Sequence, residues 1–407
     1  MPGPLGHIRV LDLSRVLAGP WATQFLADMG ADVVKVERPK QGDDTRTWGP
    51  PWLVEPTDKD PGLSAYTIAA NRGKRSVTID FTTPEGQALV RKLAEKADVV
   101  VENYKVGGLK KYGLDADSLR AINPRLVYCS VTGFGQTGPY AKRAGYDFLI
   151  QAMSGLMSIT GQPDGAPGAE PMKIGVAMSD LTTGLYATAA ILTALVKRDH
   201  TGEGETIDVA LLDCQIAALA NQASNYLVSG KAPVRMGNRH PNVVPYQVFA
   251  TADGHIILAV GNDAQFAKFC KAAGLDAVGA DPRFTRNVDR VINRDALTDL
   301  LGGAIAGRTS ADWIALLEQH GVPCGPINDI EAVFADPHVK ARGLQRDYPD
   351  DRAGTIPQVG NPVKFASTDT TAPTPPPYLG QHAREVLTGE LGLTDAEIAD
   401  LKAKGVL

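Results

Sequence analysis

The 407-residue chain is poor in cysteine and has no excess of basic charge. Its cysteines form no Cys-x-x-Cys pair and stand far apart, at Cys129, Cys214, Cys270 and Cys324. This spacing argues against a zinc or disulfide framework and is typical of a reducing compartment, so we expect a cytoplasmic protein. The formal net charge of −5 gives no electrostatic attraction to nucleic acid, and we expect no nucleic-acid partner.

Long apolar runs, targeting signals and common cofactor motifs are also missing. The N-terminal stretch MPGPLGHIRVLDLS has neither the basic nor the apolar segment of a signal peptide. The most apolar run begins at Leu181 and is interrupted by threonines, so we expect a buried core helix and no membrane span. Walker A, His-Glu-x-x-His, Gly-x-Ser-x-Gly and EF-hand patterns are absent, and the histidines are scattered. We expect no metal site and no permanently bound cofactor.

The first 132 residues alternate between strand and helix patterns. β-rich runs lie at 7–14, 31–38, 98–103 and 125–133, and helical patterns lie at 20–30 and 82–97. This alternation predicts an α/β fold with a doubly wound parallel sheet. Ligands of such sheets bind outside the carboxyl ends of the strands. The corresponding segments are rich in glycine or polar residues and lie at 14–19, 38–43, 103–108 and 132–138.

The pattern changes after about residue 224. We expect residues 1–224 to form the first part of a large domain, residues 225–328 a small α+β domain, and residues 329–407 an arm that returns to the large domain. A strand is predicted at 205–212, a hairpin turn at 252–255, and helices at 264–273, 295–306 and 310–320. The Pro-rich stretch 372–382 predicts an extended arm, and 394–405 predicts a terminal helix.

Two local patterns each have two interpretations. The sequence GFGQTG at 133–138 matches Gly-x-Gly-x-x-Gly, but no strand with an acidic end follows it, which favours a glycine turn near a ligand over a dinucleotide site. Basic residues of the N-terminal half form either a solvated face or a site for the phosphates of a large anion. They are Arg38, Arg46, Arg72, Lys74, Arg75, Lys105, Lys110 and Lys111.

Asp180 stands at the head of the predicted apolar helix. Aspartate is a preferred N-cap, and its charge suits the positive end of the helix dipole. The same helix terminus is expected to keep the carboxylate ionised, as a carboxylate nucleophile must be. The two roles, cap and nucleophile, are compatible, and the residues alone leave both open.

Six blocks together resemble the class III CoA-transferase family, the CaiB/BaiF or formyl-CoA transferase-like group. They are VLDLSRVLAGPWATQFLADMGADVVKVERP, NRGKRSVTIDFTTPEG, VVVENYKVGGL, VTGFGQTGPYAKRAGYD, GVAMSDLTTGLYATAAIL and GVPCGPINDIEAVFADP. The resemblance implies a Rossmann-like large domain completed by the C-terminal segment, a small domain, and an interlocked homodimer. It also implies that Asp180 is the nucleophile, which forms an aspartyl anhydride and then an aspartyl-CoA thioester. Coenzyme A and acyl-CoA are then substrates rather than bound cofactors.

The resemblance also assigns binding roles. It places CoA contacts at Val16, Ala18, Arg38, Lys74, Arg75, Asn103, Tyr104 and Lys111. Within the family, the stretches RAGYDFLIQAMSGLMSITGQPDG and NYLVSGKAPVRMGNRHPNVVPYQVF are most similar to succinate–hydroxymethylglutarate (glutarate) CoA-transferases. We therefore expect a short dicarboxylic acid as acceptor. The second carboxylate of that acid needs a cation or several donors. The candidates are Arg143, Tyr146, Arg235, Arg239 and His240.

Other functions remain open from the sequence. The 2-methylacyl-CoA racemases share the fold but have histidine where this chain has Tyr146, and a phenol is a poor base at neutral pH. Formyl-CoA transferases have glutamine where this chain has Leu17, which argues against formate or oxalate as substrate. A non-catalytic CoA-binding protein is a third alternative, but it leaves Asp180 unexplained.

Overall fold

The computed structural model describes residues 3–368, 370 and 374–407. The chain divides into two compact units. The first contains residues 1–156, 173–230 and 338–407, and the second contains residues 157–172 and 231–337. The second unit thus takes in 157–172, a stretch that the sequence analysis assigned to the large domain.

Helices and strands alternate through the N-terminal half. The strands are β1 Arg9–Asp12, β2 Asp32–Glu37, β3 Trp52–Val54, β4 Leu63–Ser64, β5 Lys74–Thr78, β6 Val99–Glu102, β7 Val127–Thr132 and β8 Thr206–Ala210. The helices are α1 Ala18–Asp28, α2 Ala65–Ala70, α3 Pro84–Glu95, α4 Ala116–Ile122, α5 Asp147–Met153, α6 Leu156–Ile159, α7 Met178–Thr201, α8 Leu211–Ala217 and α9 Ala220–Ser229. Short 3-10 turns lie at Asp44–Thr47 and Lys110–Tyr112.

The remaining elements follow in chain order. The strands are β9 Tyr246–Ala250, β10 His255–Ala259, β11 Cys324–Pro326, β12 Gln345–Asp350 and β13 Gly354–Val359. The helices are α10 Asp263–Ala273, α11 Asp276–Ala280, α12 Asn287–Ile292, α13 Arg294–Ile305, α14 Ser310–Gln319, α15 Ile330–Ala335, α16 Pro337–Ala341 and α17 Asp395–Ala403. A π-helical segment spans Glu385–Glu390.

The described part of the first unit contains a six-stranded sheet in the order β5-β2-β1-β6-β7-β8, with all neighbouring strands parallel. This is the doubly wound strand order, and its direction of winding reverses between β1 and β6. The expectation of an α/β fold with a large parallel sheet is confirmed. The sequence analysis missed β5, whose KRSVT pattern is not a continuous apolar run, and it did not place β8 in the sheet.

Both faces of this sheet are buried. Leu11 and Val100 lie in the core cluster on one face, and Val10 and Val99 lie in the cluster on the other. Side chains alternate across a strand, so strands covered on both faces have nearly continuous apolar sequences. The first cluster also contains C-terminal residues, namely Val386, Leu387, Ile398, Leu401 and Val406. The chain's C-terminal segment therefore packs into the core of the first unit.

Helix α7 packs closely against α1. A Cβ atom on Gly184 would lie 2.8 Å from the carbonyl oxygen of Ala18 and 3.0 Å from Cβ of Trp21, so only glycine permits this approach. Ala187 and Ile191, further along the same helix, are fully buried. Among the described residues, α7 is the one helix long and apolar enough to cross a membrane. Core helices of globular proteins pass the same test of length and composition, so this finding is weak evidence of a span.

The described part of the second unit has a three-stranded sheet in the order β11-β10-β9. Strands β9 and β10 form an antiparallel hairpin around the turn predicted at 252–255, and α10, α13 and α14 lie close to the predicted helices. Apolar side chains from the sheet and helices form one core, which includes Phe266, Leu301 and Trp313. Residues 372–373 of the Pro-rich arm lie outside the described residues, and 374–378 has no regular secondary structure.

We expect the second unit to depend strongly on Trp313. Its side chain is 1% exposed, and its Nε1 donates to the carbonyl oxygen of Ile305 at 2.7 Å. Trp313→Ala should lower the free energy of unfolding by about 3–5 kcal/mol, because it leaves a cavity and an unpaired carbonyl. The matched control is Ile292→Ala, at a residue 75% exposed in the same unit. This substitution should change the free energy of unfolding by less than about 0.5 kcal/mol. Denaturant titration measures both, and equal effects would contradict the assignment of this core.

Candidate active site

A cavity of about 180 Å³, partly open to solvent, lies at the carboxyl ends of β1, β6 and β7 in the first unit. It thus lies where the sheet reverses its winding, which is the expected place for a ligand in such folds. Loops after three strands, the segment before α5 and the start of α7 form its walls. The lining includes Arg15, Val16, Leu17, Ala18, Asp44, Asn103, Tyr104, Lys105, Thr132, Lys142, Arg143, Tyr146, Asp147 and Asp180.

Asp180 is the third residue of α7 and not its N-cap. The N-cap is Ala177, which has no capping side chain. The helix N-terminus is instead capped by Asp147 from α5, whose Oδ1 accepts from the backbone N–H of Ser179 at 2.8 Å and from that of Asp180 at 3.4 Å. The interpretation of Asp180 as a cap was therefore wrong. Its side chain is released from local hydrogen bonding and lines the cavity.

The environment of Asp180 favours its neutral form. Burial, and then the negative charge of Asp147, raise its pKa from 3.8 to about 7. Within the described residues the Asp180 carboxylate has no ion-pair partner. The expectation that the helix terminus keeps this group fully ionised is thus not met, because desolvation and the like charge outweigh the dipole. A weakly solvated carboxylate of raised pKa is a stronger nucleophile once ionised.

Asp147 is itself held in place by Gln151, one turn further along α5. Nε2 of Gln151 donates to Oδ2 of Asp147 at 2.7 Å, and Oε1 of Gln151 accepts from the backbone N–H of Ile174 at 2.9 Å. Gln151 is fully buried. Tyr146 was predicted from the sequence as a site residue, whereas Asp147 and Gln151 were not. The only available signal was the i, i+4 spacing of an Asp and a Gln at a helix start.

Four predicted CoA contacts lie together in the cavity wall. Val16 and Ala18 follow β1, while Asn103 and Tyr104 follow β6. The side chain of Asn103 joins the two loops, because its Oδ1 accepts from the N–H of Arg15 at 2.8 Å and its Nδ2 donates to the Arg15 carbonyl at 2.6 Å. The Arg15 guanidinium lies 4.9 Å from the centre of the Tyr104 ring. Asn103 therefore shapes the wall through its side chain.

The predicted basic contacts differ in accessibility. Arg38 is 47% exposed and pairs with the cavity residue Asp44 at 2.8 Å. Lys111 is exposed and lies over the Tyr112 ring, outside the cavity lining. Arg75 is mostly buried and forms ion pairs with Asp32, Glu385 and Glu390.

Lys74 requires a correction. Its side chain is fully buried, and its Nζ donates to Asp12, to the Pro20 carbonyl and to Asn71, each at 3.0 Å. Burial lowers its pKa to about 8, against the attraction of Asp12. The Lys74 amine therefore offers no contact to a CoA phosphate. The buried ion pairs Arg46–Glu37 and Arg72–Asp28 likewise remove Arg46 and Arg72 from the proposed anion site.

Among the substrate candidates, Arg143 and Tyr146 line the same cavity as Asp180. The Arg143 guanidinium lies 4.6 Å from the centre of the Tyr140 ring and 5.3 Å from that of Phe134. Within the described part of the chain Arg143 forms no ion pair. Tyr146 is 70% exposed. Both side chains are therefore accessible to a small molecule in the cavity.

The other candidates belong to the second unit. Arg239 pairs with Asp295 at 3.0 Å, and Arg235 pairs with Asp164. The His240 ring packs against Tyr246 with 5.3 Å between ring centres, and burial followed by the charge of Arg294 lowers its pKa. Their participation in a site with Asp180 stays a prediction. No group of three or more His, Cys, Asp or Glu side chains suited to a metal ion occurs among residues 3–368, 370 and 374–407.

The enzymatic activity that the resemblance implies should depend on the charge of Asp180. The acidic limb of kcat/KM should have an apparent pKa of about 7, with activity rising as pH rises, because only the carboxylate attacks. Asp147→Asn removes the like charge and should move this limb to lower pH, yet keep it above 3.8 because burial remains. Rate profiles from about pH 5 to about pH 9 measure the shift.

The matched control for this change is Asp199→Asn, at an exposed position near the far end of α7. It should leave the acidic limb where it is. An unchanged limb in Asp147→Asn, or a limb displaced to higher pH, would show that Asp147 does not set the charge state of Asp180.

Comparison with known proteins shows extended similarity to one family. The model of CoA-transferase family III matches residues 5–383. A succinate–glutarate CoA-transferase of Agrobacterium fabrum is 53% identical over 384 residues, which are 94% of this chain and 95% of the relative. A human succinyl-CoA:glutarate CoA-transferase is 42% identical over 404 residues, which are 99% of this chain and 90% of the relative.

Solved structures show the same fold. A CaiB/BaiF family protein from Brucella suis is 51% identical and superposes with a TM-score of 0.83 over 96% of this chain and 100% of that one. The similarity covers the parallel sheet, the cavity segments and α7 together. The resemblance deduced from the six sequence blocks is therefore confirmed.

Proposed function

Because the chain belongs to CoA-transferase family III, we propose that this transferase moves coenzyme A from succinyl-CoA, or a similar donor, to glutarate or another short dicarboxylic acid. The observation that carries the proposal is Asp180 itself. It is a carboxylate that lines the cavity, with a pKa near neutrality and no ion-pair partner in the described residues. A chain 53% identical to a succinate–glutarate CoA-transferase supports the choice of acids.

The chemistry assigned to Asp180 consists of carboxylate exchanges at one site. A carboxylate oxygen of Asp180 attacks the thioester carbon, and the C–S bond breaks. CoA leaves as thiolate, and Asp180 and the donor acyl group form a mixed anhydride. The thiolate then attacks the Asp180 carbonyl, which releases the donor acid and forms an aspartyl-CoA thioester. The acceptor carboxylate repeats the two steps in reverse order, and Asp180 is regenerated. Each difficult exchange is thus divided into easier covalent steps.

The CoA portion of the substrate is proposed to lie along the wall formed by Val16, Ala18, Asn103 and Tyr104. These residues line the same cavity as Asp180. Arg38 lies near the cavity residue Asp44 and is accessible enough to reach phosphates. In this proposal the backbone of Arg15–Ala18 and the exposed arginine bind CoA, whereas Lys74 binds Asp12 and the Pro20 carbonyl, which flank this loop in the chain.

A dicarboxylate needs a partner for its distal charge. Arg143 is the candidate that we favour, because it lines the Asp180 cavity and its guanidinium lies against aromatic rings, with no carboxylate paired to it in the described part of the chain. Burying the second carboxylate without such a partner is costly. Arg239 and Arg235 are less favoured, since each already pairs with an aspartate of the second unit.

The substrate proposal is tested with purified enzyme, succinyl-CoA and separate acids, with products identified by mass. Glutarate should yield glutaryl-CoA and one equivalent of succinate, whereas butyrate and oxalate should react at least about 10-fold more slowly. If butyrate reacts as well as glutarate, the enzyme recognises no second carboxylate and the dicarboxylate assignment is wrong. A 2-methylacyl-CoA incubated in D₂O tests the racemase alternative, and deuterium at its α-carbon would favour it.

Arg143→Ala should raise the KM for glutarate by about 10- to 150-fold, because a charge-assisted hydrogen bond contributes about 1.5–3 kcal/mol. With butyryl-CoA as donor, the KM for the donor should stay nearly unchanged. Steady-state kinetics with each substrate varied separately give both values.

Arg143→Lys keeps the charge and should recover part of the loss. Arg239→Ala is the comparison variant, and it should affect glutarate less than Arg143→Ala does. The assignment of Arg143 fails if glutarate binds equally well without its guanidinium, or if Arg239→Ala has the larger effect.

We propose in addition that two chains form an interlocked homodimer, with residues 225–328 as a small domain and the C-terminal segment returning to the large one. Large apolar side chains remain exposed on α7 and α9, including Tyr186 at 49%, Leu227 at 79% and Val228 at 89%. Exposed patches of this kind are typical of subunit interfaces.

An interlocked dimer cannot dissociate without partial unfolding, so dilution to nanomolar concentration should leave dimers. Mass photometry measures the populations directly. An active, folded monomer at that dilution would contradict the proposal.

A further inference from the structure

Val16 has an unusual backbone conformation in the cavity wall. Its φ is +69°, in the left-handed region that glycine favours and that β-branched residues avoid. Such a conformation costs free energy and persists only when the surrounding groups impose it. Val16 lines the cavity with Leu17 and Ala18, so its backbone sets the direction of this part of the wall.

Asp43 is the group that holds Val16. Both of its carboxylate oxygens lie 3.2 Å from the backbone nitrogen of Val16. Oδ1 also accepts from the N–H and the hydroxyl of Thr45, at 3.0 and 3.1 Å, and Oδ2 accepts from Nζ of Lys35 at 2.9 Å. The side chains of Asp43 and Lys35 are each 1% exposed. A fully engaged, buried carboxylate has little freedom to move.

The residues just before Val16 are fixed in the same way. The Ser14 carbonyl accepts from Lys35 at 2.8 Å, and the Ser14 N–H donates to Asp12 at 2.9 Å. Asn103 binds both backbone groups of Arg15. Side chains from other segments thus bind each of three consecutive residues, and Lys35 connects Ser14 to Asp43.

We propose that Asp43, fixed by Lys35, is a positioning residue that holds Val16 in the left-handed conformation and thereby shapes the wall that binds acyl-CoA. Asp43 acts through the Val16 backbone, at a distance from the reacting carboxylate. Without it, Val16 relaxes toward the β region, and the peptide group between Val16 and Leu17 rotates away from the bound substrate. The inference rests on the proposed place of CoA in this cavity, but not on the identity of the acceptor acid.

The test begins with Asp43→Asn, which keeps the side chain's shape. An amide has a single acceptor oxygen and cannot serve Thr45, Val16 and Lys35 together. The dissociation constant for CoA, measured by calorimetry on the full chain, should rise roughly 5- to 100-fold. At saturating acyl-CoA, kcat should stay within about threefold, because Asp180 is untouched.

The matched control is Asp28→Asn. Asp28 forms a comparably buried ion pair with Arg72, with side chains 1% and 8% exposed, and the hydrogen bonds of its carboxylate go to Arg72 and not to the Arg15–Ala18 loop. Its loss should lower stability while leaving CoA affinity within about twofold. This control separates a general loss of a buried ion pair from a specific effect on the wall.

A rescue variant tests the conformational argument itself. Glycine at position 16 adopts the left-handed region without steric cost. In Val16→Gly this conformation therefore depends less on the hydrogen bond to Asp43. In the Val16→Gly background, adding Asp43→Asn should weaken CoA binding by no more than about threefold. A merely structural role of Asp43 would give the same loss in both backgrounds.

Two results overturn the inference: an unchanged CoA affinity in folded Asp43→Asn, or an equal loss with Val16 and with Gly at position 16. If Asp43→Asn does not fold, Lys35→Met/Asp43→Asn leaves no unpaired charge and takes its place in the same comparison. If Asp43→Asn forms glutaryl-CoA with unchanged CoA affinity, the inference fails while the proposed function stands. If the wild type binds CoA but forms no glutaryl-CoA, the assignment of glutarate as acceptor fails, while the inference about Asp43 stands.

Discussion

A half-buried carboxylate that has no counter-ion among the described residues is the constraint on which the site depends. Asp180 lies beside a second carboxylate, Asp147, and both burial and like charge raise its pKa to about 7. This arrangement destabilises the charged form, so the surrounding structure must be rigid enough to maintain it. Rigidity comes from Gln151, which holds Asp147, and from the close packing of α7 on α1 at Gly184. The packing of α7 thus keeps the Asp180 carboxylate in this environment.

The wall formed by the loop after β1 depends on buried charges of both signs. Asp12, Lys35, Asp43 and Lys74 lie beneath the loop after β1, each bound to at least one other member or to the loop backbone. Charges in such positions are costly unless every one is paired and hydrogen-bonded. Here Lys35 donates to the Ser14 carbonyl and Asp43 accepts from the Val16 N–H. These hydrogen bonds keep the strained turn ordered at the switch point of the sheet. Asp180 thus has a like-charged neighbour, whereas the charges beneath this loop are paired with charges of opposite sign.

The sequence predicted those features that follow from periodicity and from motif order. Apolar runs identified β1, β2, β6 and β7, and the carboxyl ends of these strands correctly located the cavity. Strand β5 was missed because its buried polar side chains, such as Lys74, find partners only after folding. For the same reason Lys74 seemed available to a phosphate, although its amine is bound to Asp12 and shielded from solvent.

The site's electrostatics lay further beyond the sequence. The cap of α7 comes from Asp147, 33 residues before Asp180, and no local pattern reports a capping interaction between separate helices. The shift of the Asp180 pKa depends on burial and on that same neighbour, both of which are properties of the packed structure. Similarly, the positive φ of Val16 could not be expected from a valine, because sequence rules assign left-handed positions to glycine.

The role of Asp180 as nucleophile is tested most directly by measuring the transfer of ¹⁸O from the acceptor acid to its side chain. If Asp180 exchanges acyl groups covalently, turnover with unlabelled succinyl-CoA and glutarate carrying ¹⁸O in both carboxylates must leave ¹⁸O on the Asp180 side chain. Mass spectrometry of the peptide containing Asp180 should then show a gain of about 2 and, after repeated turnover, about 4 mass units, with no gain in Asp180→Asn. Product formation without label in this peptide, or label on the peptide carrying Asp147, would contradict the assignment of Asp180 as the nucleophile.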